Sequence, residues 1–254
     1  MKSPTGYDLN NPVEIDLSKK VDEISGIVFN QSDSTLFAID DNEGNLYKIS
    51  LTNDPQIQKW KIGKSEDFED IVMTDTSFFV LVSKGNLLQF PRSIPPRDVS
   101  EFNLGLKGFN EFETLYYESQ HNRLILFCKE CKEDDDNTVS AYAYDLTGQR
   151  FIDTPVLRLR KKEVEKVAGE KLSRIKASAG SINPLTGEVF IISSINKILI
   201  VLDPDFNVKE TYDLKRSKFV QPEGICFSPS GTLFISNEAG TEGKANILIF
   251  KRDQ

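Results

Sequence analysis

The sequence predicts an all-β protein, and within that class a five-bladed β-propeller. Its longest apolar runs, such as "FFVLV" and "LILFC", have four to five residues, which is the length of a strand. A short signature recurs along the chain at intervals close to 44 residues. The two ends of the chain together supply the strands of the last of these units. Short strands in a fixed repeat are typical of propeller blades.

Five copies of the signature open the repeats. They are "EISGI" (23–27), "FEDIV" (68–72), "FETLY" (112–116), "AGSIN" (179–183) and "PEGIC" (222–226). Aligned on Ser25, Glu69, Glu113, Gly180 and Glu223, the copies are separated by 44, 44, 67 and 43 residues. A polar turn, a second apolar run and a third strand-like run follow each copy, and most repeats have a fourth. We expect the continuously apolar second runs to be central strands, covered on both faces by neighbouring blades.

The chain ends complete the ring. The last repeat stops after its third strand, "NILIFKR", while the strand "VEIDLS" (13–18) precedes the first repeat. Pairing of these two segments would close the last blade and remove an open sheet edge. The chain then consists of a flexible tail (1–10) and a single propeller domain (11–254). Six blades are the alternative, because the long third interval could conceal a partial unit.

The long third interval also contains the best helical stretch in the chain, "RKKEVEKVAGEKL" (160–172). Val164, Val167 and Leu172 give it a narrow apolar face, which predicts a short helix outside the propeller and ahead of the fourth blade. The acidic "KEDDDN" (132–137) is predicted to be an exposed loop, because it lacks the spacing and the terminal Glu of an EF-hand.

Composition and motifs exclude several classes. A net charge of −8 argues against nucleic acid as a partner, and no apolar run is long enough to span a membrane. The sequence has no GxSxG elbow, P-loop, HExxH or GxGxxG before a helix, and its one histidine, His121, lies in a polar turn. Cys128 and Cys131 have redox or metal-ligand spacing, but Cys128 ends a strand-like run, so buried or incidental cysteines are expected. These absences favour a binding protein over an enzyme.

The repeated acids are the candidate site. The first strand of each blade lines the central channel, so equivalent side chains form rings around its axis. Channel candidates are Glu69, Glu113 and Glu223, with Glu23, Asp67 and Glu111 two residues upstream; rim candidates at the ends of second strands are Asp41, Lys84, Glu130 and Glu238. Converging carboxylates repel each other unless neutralised, and oxygen ligands suit Ca²⁺, which makes Glu69, Glu113 and Glu223 candidate metal ligands. The alternative is that these acids fix blade geometry or keep the channel hydrated.

The repeated signatures, taken in their order along the chain, resemble those of a known protein family. "EISGIVFNQSDSTLFAIDDNEGNLYKI", "DFEDIVM", "NEFETLYYESQHNRLILFCKE" and "QPEGICFSPSGTLFISNE" resemble the SdiA-regulated family, which includes the YjiK and CarP proteins. The resemblance spans about residues 21–250 and implies a β-propeller placed in the periplasm or at the membrane. The opening "SPTGYDLNNP" looks like the mature start of exported or lipid-anchored members from Bacteroidetes-type bacteria, although a cytoplasmic location remains open. Related propellers include Ca²⁺-dependent phytase-like and lactonase-like hydrolases.

Three functions follow as hypotheses. The first is a monomeric envelope propeller that binds a cation, a small ligand or a protein at the channel mouth. The second is a Ca²⁺-dependent hydrolase of a phosphoester or lactone, with Lys84 and Lys129 near the rim as phosphate partners. The third is a non-catalytic scaffold that uses its blade edges and the acidic loop.

Overall fold

The part of the chain that the structure describes contains twenty strands, which account for nearly half of the residues. The computed structural model describes residues 2–64, 66–240 and 243–252, and within these residues the strands form five four-stranded antiparallel sheets. The first blade contains β2 (Ile24–Asn30), β3 (Thr35–Asp40), β4 (Asn45–Ser50) and β5 (Ile57–Lys61). The second contains β6 (Phe68–Met73), β7 (Ser77–Val82), β8 (Asn86–Pro91) and β9 (Ser100–Asn103). The third contains β10 (Asn110–Glu118), β11 (Arg123–Cys131), β12 (Thr138–Asp145) and β13 (Arg150–Arg160).

The last two blades complete the ring. The fourth contains β14 (Ala179–Ile182), β15 (Val189–Ser193), β16 (Ile198–Leu202) and β17 (Val208–Asp213). The fifth contains β18 (Pro222–Phe227), β19 (Leu233–Asn237), β20 (Asn246–Phe250) and, as its outer strand, β1 (Val13–Asp16). β1 pairs antiparallel with β20, so the strand from the start of the chain closes the ring as predicted. The five-bladed prediction is confirmed and the six-bladed alternative is wrong.

The third repeat is long because its own strands are long and because a helix follows them. β10, β11 and β13 have 9, 9 and 11 residues, and helix α1 (Lys161–Ala168) lies between β13 and β14. Val164 is fully buried against the third and fourth blades, whereas Val167 is largely exposed. The predicted helix is therefore present but shorter. None of the helices in the described residues has the length and apolar character needed to cross a bilayer.

Apolar side chains pack between the blades. Five clusters of buried residues fill the five blade interfaces, so each sheet is covered on both faces. The second strands are accordingly buried along their whole length in β7, β15 and β19. The outermost strands β5 and β17 are mostly half-buried or exposed. The coverage of both faces of each sheet explains why these strands are continuously apolar in the sequence.

Residues 2–10 pack against the core, which corrects the predicted flexible tail (1–10) over this part; Met1 lies outside the described residues. Leu9 is fully buried and Tyr7 is 5% exposed, both between the fourth and fifth blades. The Tyr7 hydroxyl donates to the Gly231 carbonyl oxygen at 2.8 Å and accepts from the Asn183 amide at 3.2 Å. This packing was not predicted because the buried residues of the segment, Pro4, Tyr7 and Leu9, lie among polar residues with no periodic pattern. Two 3₁₀ turns, Lys19–Val21 and Ser119–His121, lie in the connections.

A belt of hydrogen bonds joins the inner strands around the channel. Each blade reaches its neighbour by one side chain that bonds to the neighbour's backbone. The five contacts are Ser25 Oγ to Glu69 O at 2.6 Å, Asp70 Oδ2 from Leu115 N at 2.8 Å, Thr114 Oγ1 to Ala177 O at 3.0 Å, Ser178 Oγ to Pro222 O at 3.1 Å and Ser236 Oγ to Ser25 O at 2.9 Å. The belt sets the height of each inner strand relative to the next.

Candidate functional site

Three glutamates enter the channel from β-bulges. In β6, β10 and β18 the pairing with the neighbouring strand shifts between the residues that flank Glu69, Glu113 and Glu223. Each glutamate is therefore the extra residue of a bulge, which bends the strand and redirects the side chain. Bulges concentrate next to functional sites because they re-aim side chains in this way. The sequence repeat placed these residues correctly but gave no sign of the bulges.

Strand register identifies the fourth member of the ring as Ser178, which corrects the alignment on Gly180. Gly180 pairs with Ile191, as Leu115 pairs with Leu126 and Ile225 with Ile235. Gly180 thus lies two residues beyond the position of the glutamates. The fourth blade contributes a short hydroxyl where three other blades contribute a carboxyl, and that hydroxyl is used in the belt.

These side chains surround a cavity of about 380 Å³ at one mouth of the channel, which we call the acidic cavity. Among the described residues, eight carboxyl side chains and one lysine line it. The acids are Glu23, Asp41, Asp67, Glu69, Glu111, Glu113, Glu223 and Glu238, and the base is Lys129. Ser25, Ser83, Ser194 and Gln221 contribute further polar groups. The cavity is therefore strongly anionic when its acids are ionised.

Eight of the ten residues predicted from the sequence lie together in the acidic cavity, and two do not. Lys84 is exposed in a neighbouring cleft with Glu66 and Asn86. Glu130 faces away, toward Arg174 and Lys176, with contacts of 3.8 and 3.3 Å. The basic residue of the cavity is instead Lys129, which lies in the same second strand, β11, one residue before Glu130.

The central glutamates resist ionisation. Burial, followed by the charge of Glu113, raises the pKa of Glu69 to about 8. Burial and then the charges of Glu113 and Glu238 hold the pKa of Glu223 well above its ordinary value. Burial also raises the pKa of Glu113, although the Lys129 ammonium offsets part of this effect. Carboxyl groups that share an enclosed space bind protons more tightly because each added charge repels the others.

A second acidic group lies at the rim. Burial, followed by a hydrogen bond to Glu23 and the charge of Glu23, raises the pKa of Glu238 to about 7. Burial, followed by the charges of Glu23, Asp40 and Asp67, raises the pKa of Asp41 to about 6. Asp41 Oδ1 is buried and has no hydrogen-bond partner among the described residues. An acceptor left unpaired in this way is costly unless a ligand supplies a donor or a positive charge.

Among the residues that the structure describes, Lys129 is the one basic side chain that lines the cavity. Its ammonium forms an ion pair with Glu113. Burial opposes the charge of Lys129, but the hydrogen bond and charge of Glu113 outweigh it, so the pKa of Lys129 is raised. Lys129 neutralises one of the eight acids and leaves the others without a basic partner inside the cavity.

Lys129 and Glu130 lie between two cysteines that form a disulfide. Cys128 and Cys131 are buried and bonded, whereas Cys226 is a buried free thiol. Both cysteines of the pair are buried, as one of the two predicted alternatives stated, but they are not incidental, because they are bonded to each other. The two Cα atoms are 5.8 Å apart at the end of β11, which is within disulfide range. Spacing alone could not show that the strand end brings the two side chains together.

The acidic cavity contains carboxylate oxygens, which a hard cation prefers, but these oxygens are not grouped closely enough to form a ready metal site. In the described residues, the one set of three possible metal-ligating side chains with ligand atoms within 4.8 Å of each other is Cys128, Cys131 and Asp134. Two members of that set are consumed by the disulfide. Ca²⁺ takes six to eight oxygens at about 2.3–2.6 Å, so a bare ion would need Glu69, Glu113 and Glu223 to approach one another or to reach it through water.

Comparison with known proteins supports the fold. A luciferin-regenerating enzyme is 10% identical, with a TM-score of 0.57 and 95% of each chain covered. A glutaminyl cyclase from Myxococcus xanthus is 15% identical, with a TM-score of 0.61, covering 96% of this chain and 97% of that one. A regucalcin from Agrobacterium tumefaciens, described as a calcium-binding protein, is 12% identical, with a TM-score of 0.53, covering 98% of this chain and 95% of that one. These likenesses establish a shared β-propeller fold and no shared activity.

A comparison with proteins of curated function gives no match. The sequence model described as SdiA-regulated matches residues 7–240, which is nearly the whole chain and includes all five of the repeated signatures. The match begins at Tyr7, the first residue of the buried N-terminal segment, and extends past Glu238 at the rim of the acidic cavity. The chain belongs to the SdiA-regulated family.

Proposed function

We propose that this protein is a cation-binding β-propeller and that the acidic cavity is its binding site. The observation that carries the proposal is the imbalance inside the cavity, eight carboxyl groups against one lysine among the described residues. An enclosed space of this kind focuses negative potential and attracts a positive ligand.

The raised pKa values of the central acids give the proposal a thermodynamic basis. Glu69 and Glu238 have pKa values of about 8 and about 7, so both hold protons for part of the time at neutral pH. A bound cation favours the ionised carboxylates and displaces those protons. Binding should therefore release protons and should tighten as the pH rises.

Two kinds of cation fit different features of the cavity. Ca²⁺ is favoured by the oxygen-only ligands and by the fold shared with a regucalcin described as calcium-binding. A small organic cation with several ammonium groups is favoured by the spacing of the acids, because separate ammonium groups can reach separate carboxylates without drawing them together. The buried, unpaired Asp41 Oδ1 would accept a bond from either.

Titration calorimetry tests the proposal with CaCl₂, MgCl₂ and spermidine as separate ligands. We expect at least one of them to bind, with affinity reduced about tenfold or more by Glu223→Gln and unchanged by Glu133→Gln, which alters an exposed acid in the 132–137 loop. Ca²⁺ binding identifies a metal site, and spermidine binding alone identifies an organic-cation site. Absence of binding by all three ligands, with the protein folded, would contradict the proposal.

The alternative of a Ca²⁺-dependent hydrolase has less support. Phosphate binding needs free basic groups, yet Lys84 lies outside the cavity and Lys129 is paired with Glu113. His121 lies in the turn after β10, where it contacts Glu118 rather than the cavity. Assays with a phosphoester and a sugar lactone in the presence of Ca²⁺ decide the matter. Turnover that is lost in Glu113→Gln would establish the hydrolase instead.

We further propose a periplasmic or envelope location. Support comes from the family resemblance and from the Cys128–Cys131 disulfide, since disulfides persist in oxidising compartments. Fractionation of native cells, followed by thiol labelling of the recovered protein, tests this. A cytoplasmic protein with both thiols free would contradict it.

A further inference from the structure

The opposite mouth of the channel is lined by a ring of apolar side chains instead of carboxyl groups. Five equivalent residues, each at the last or the next-to-last paired position of its blade's first strand, form a half-buried apolar ring. They are Phe29, Met73, Tyr117, Ile182 and Phe227. The ring lines a cavity of about 410 Å³, which we call the apolar cavity.

The apolar cavity continues into the channel. A narrower space of about 120 Å³ follows it inward, and the two share Val28, Met73, Tyr117, Ile182 and Phe227 as lining. The inner space is walled mainly by aliphatic and aromatic side chains from all five blades. A wide mouth that narrows into an apolar tube suits an elongated apolar group. Its volume is within the range of small-molecule sites, about 300–1,000 Å³.

One free cation lies at the rim of the apolar cavity. Arg92, just after β8, is half-buried and lines the cavity beside Thr74 and Asp75. Its Nη1 donates to the carbonyl oxygens of Thr74 and Asp75 at 3.5 and 3.4 Å, which are long contacts. Among the ion pairs of the described residues, none involves Arg92 or the exposed Asp75 carboxylate. The rest of the guanidinium fork is available, and its geometry matches a carboxylate.

We propose that the apolar cavity binds a small amphipathic carboxylate, with its apolar chain in the ring and the channel and its carboxylate on Arg92. Binding is favoured because the apolar chain of the ligand and the apolar ring are both removed from water. The guanidinium then fixes the orientation of the ligand by a charge-assisted hydrogen bond. This site is separate from the acidic cavity, with which it shares no lining residue.

The sequence supplies a direct probe of this cavity. The chain contains two methionines, Met1 and Met73, and Met73 belongs to the apolar ring. Protein labelled with ¹³C on the methionine methyl groups therefore reports on the cavity through a single internal resonance. Decanoate, below its aggregation concentration, is the test ligand. Decylammonium has the same chain with the opposite charge and is the matched control.

We expect decanoate to shift the Met73 methyl resonance saturably and decylammonium to bind at least tenfold more weakly. Arg92→Gln should weaken decanoate binding about tenfold or more, since a hydrogen bond to a charged group contributes about 1.5–3 kcal/mol. Arg92→Lys keeps the charge but loses the planar fork, so its affinity should lie between those of the native protein and Arg92→Gln. Asp75→Asn should tighten binding by removing a nearby negative charge. Thermal melts establish that each variant is folded.

Glu69→Gln tests whether the apolar cavity binds its ligand independently of the proposed cation site. It alters the acidic cavity and should leave the decanoate affinity unchanged, whatever it does to cation binding. The proposal is overturned if decanoate leaves the Met73 resonance unmoved, if decylammonium binds as tightly, or if Arg92→Gln binds decanoate like the native protein.

Discussion

Glu69 offers the sharpest test of the electrostatics of the acidic cavity. Its carboxyl is largely buried near Glu113, and its pKa is raised to about 8 from an ordinary value of 4.5. Below pH 4.5 the group is protonated in both folded and unfolded protein, so it has no effect on the free energy of unfolding. Above that pH the unfolded chain loses the proton while the folded protein keeps it. Stability is therefore lost progressively as the pH rises from about 4.5 to about 8, and no further loss from this group occurs above that pH.

The magnitude follows from the difference between the two pKa values. Each pKa unit corresponds to about 1.36 kcal/mol, so a group that titrated alone from 4.5 to about 8 would cost on the order of 5 kcal/mol at high pH. Glutamine keeps the shape of the side chain and cannot ionise. Glu69→Gln should match the native protein near pH 4.5 and become progressively more stable than it between pH 5 and 8.

Urea unfolding at pH 5, 6, 7 and 8, in the presence of a chelator, measures this difference. Glu133→Gln is the control, because Glu133 is exposed in the acidic loop and should follow the native curve at every pH. The reasoning fails if Glu69→Gln keeps a constant offset from the native protein across the range. It also fails if the variant becomes relatively less stable as the pH rises.

Three substitutions test the packing that positions the site. A methyl group on Gly26 would lie 2.3 Å from Asp70 Oδ1 and 2.5 Å from Asp70 Cα, so Gly26→Ala should lower the free energy of unfolding by about 3 kcal/mol or more. Thr114→Val removes the belt hydrogen bond to the Ala177 carbonyl and should cost about 1–3 kcal/mol. Leu9→Ala should cost about 2–5 kcal/mol, because the side chain is fully buried. Urea denaturation measures all three.

Matched controls accompany these substitutions. Gly148→Ala lies in an exposed turn where the added methyl meets the movable ends of side chains, so it should change stability little. Thr76→Val alters an exposed threonine outside the belt and should be close to neutral. A native-like Leu9→Ala would restore the flexible-tail prediction. Equal costs for Gly26→Ala and Gly148→Ala would contradict the close approach of the first two blades.

Much of the fold could be predicted because a propeller repeats local patterns. The second strands are continuously apolar because neighbouring blades cover both of their faces. The "VEIDLS" strand precedes the first repeat and pairs with β20, as its position in the sequence predicted. Register within the fourth blade could not be predicted, because "AGSIN" and its neighbours contain no acid to mark the position that Ser178 occupies. Tyr7 and Leu9 are buried by blades more than 170 residues away, which no local pattern records.

The acids of the site could also be predicted, but their surroundings could not. All eight cavity carboxyls stand at repeat positions that the sequence marks. Lys84 and Glu130 also stand at marked repeat positions, but they lie outside the acidic cavity, whereas Lys129 lines it. Which of two adjacent residues faces the channel depends on the course of the strand end and on the bulges of the paired strand. Neither feature has a signature in the residues themselves.

The sequence by itself determined the number of blades, the closure of the ring and the set of acids that could reach its channel. These properties follow from strand length, from spacing and from an unpaired strand at each end, all of which are written along the chain. Only the tertiary structure decided that the two mouths differ, one acidic with a single lysine and the other apolar with Arg92 at its rim. That difference arises because closing the ring brings together side chains from all five blades, and their combined burial and charge exist only once the ring is closed.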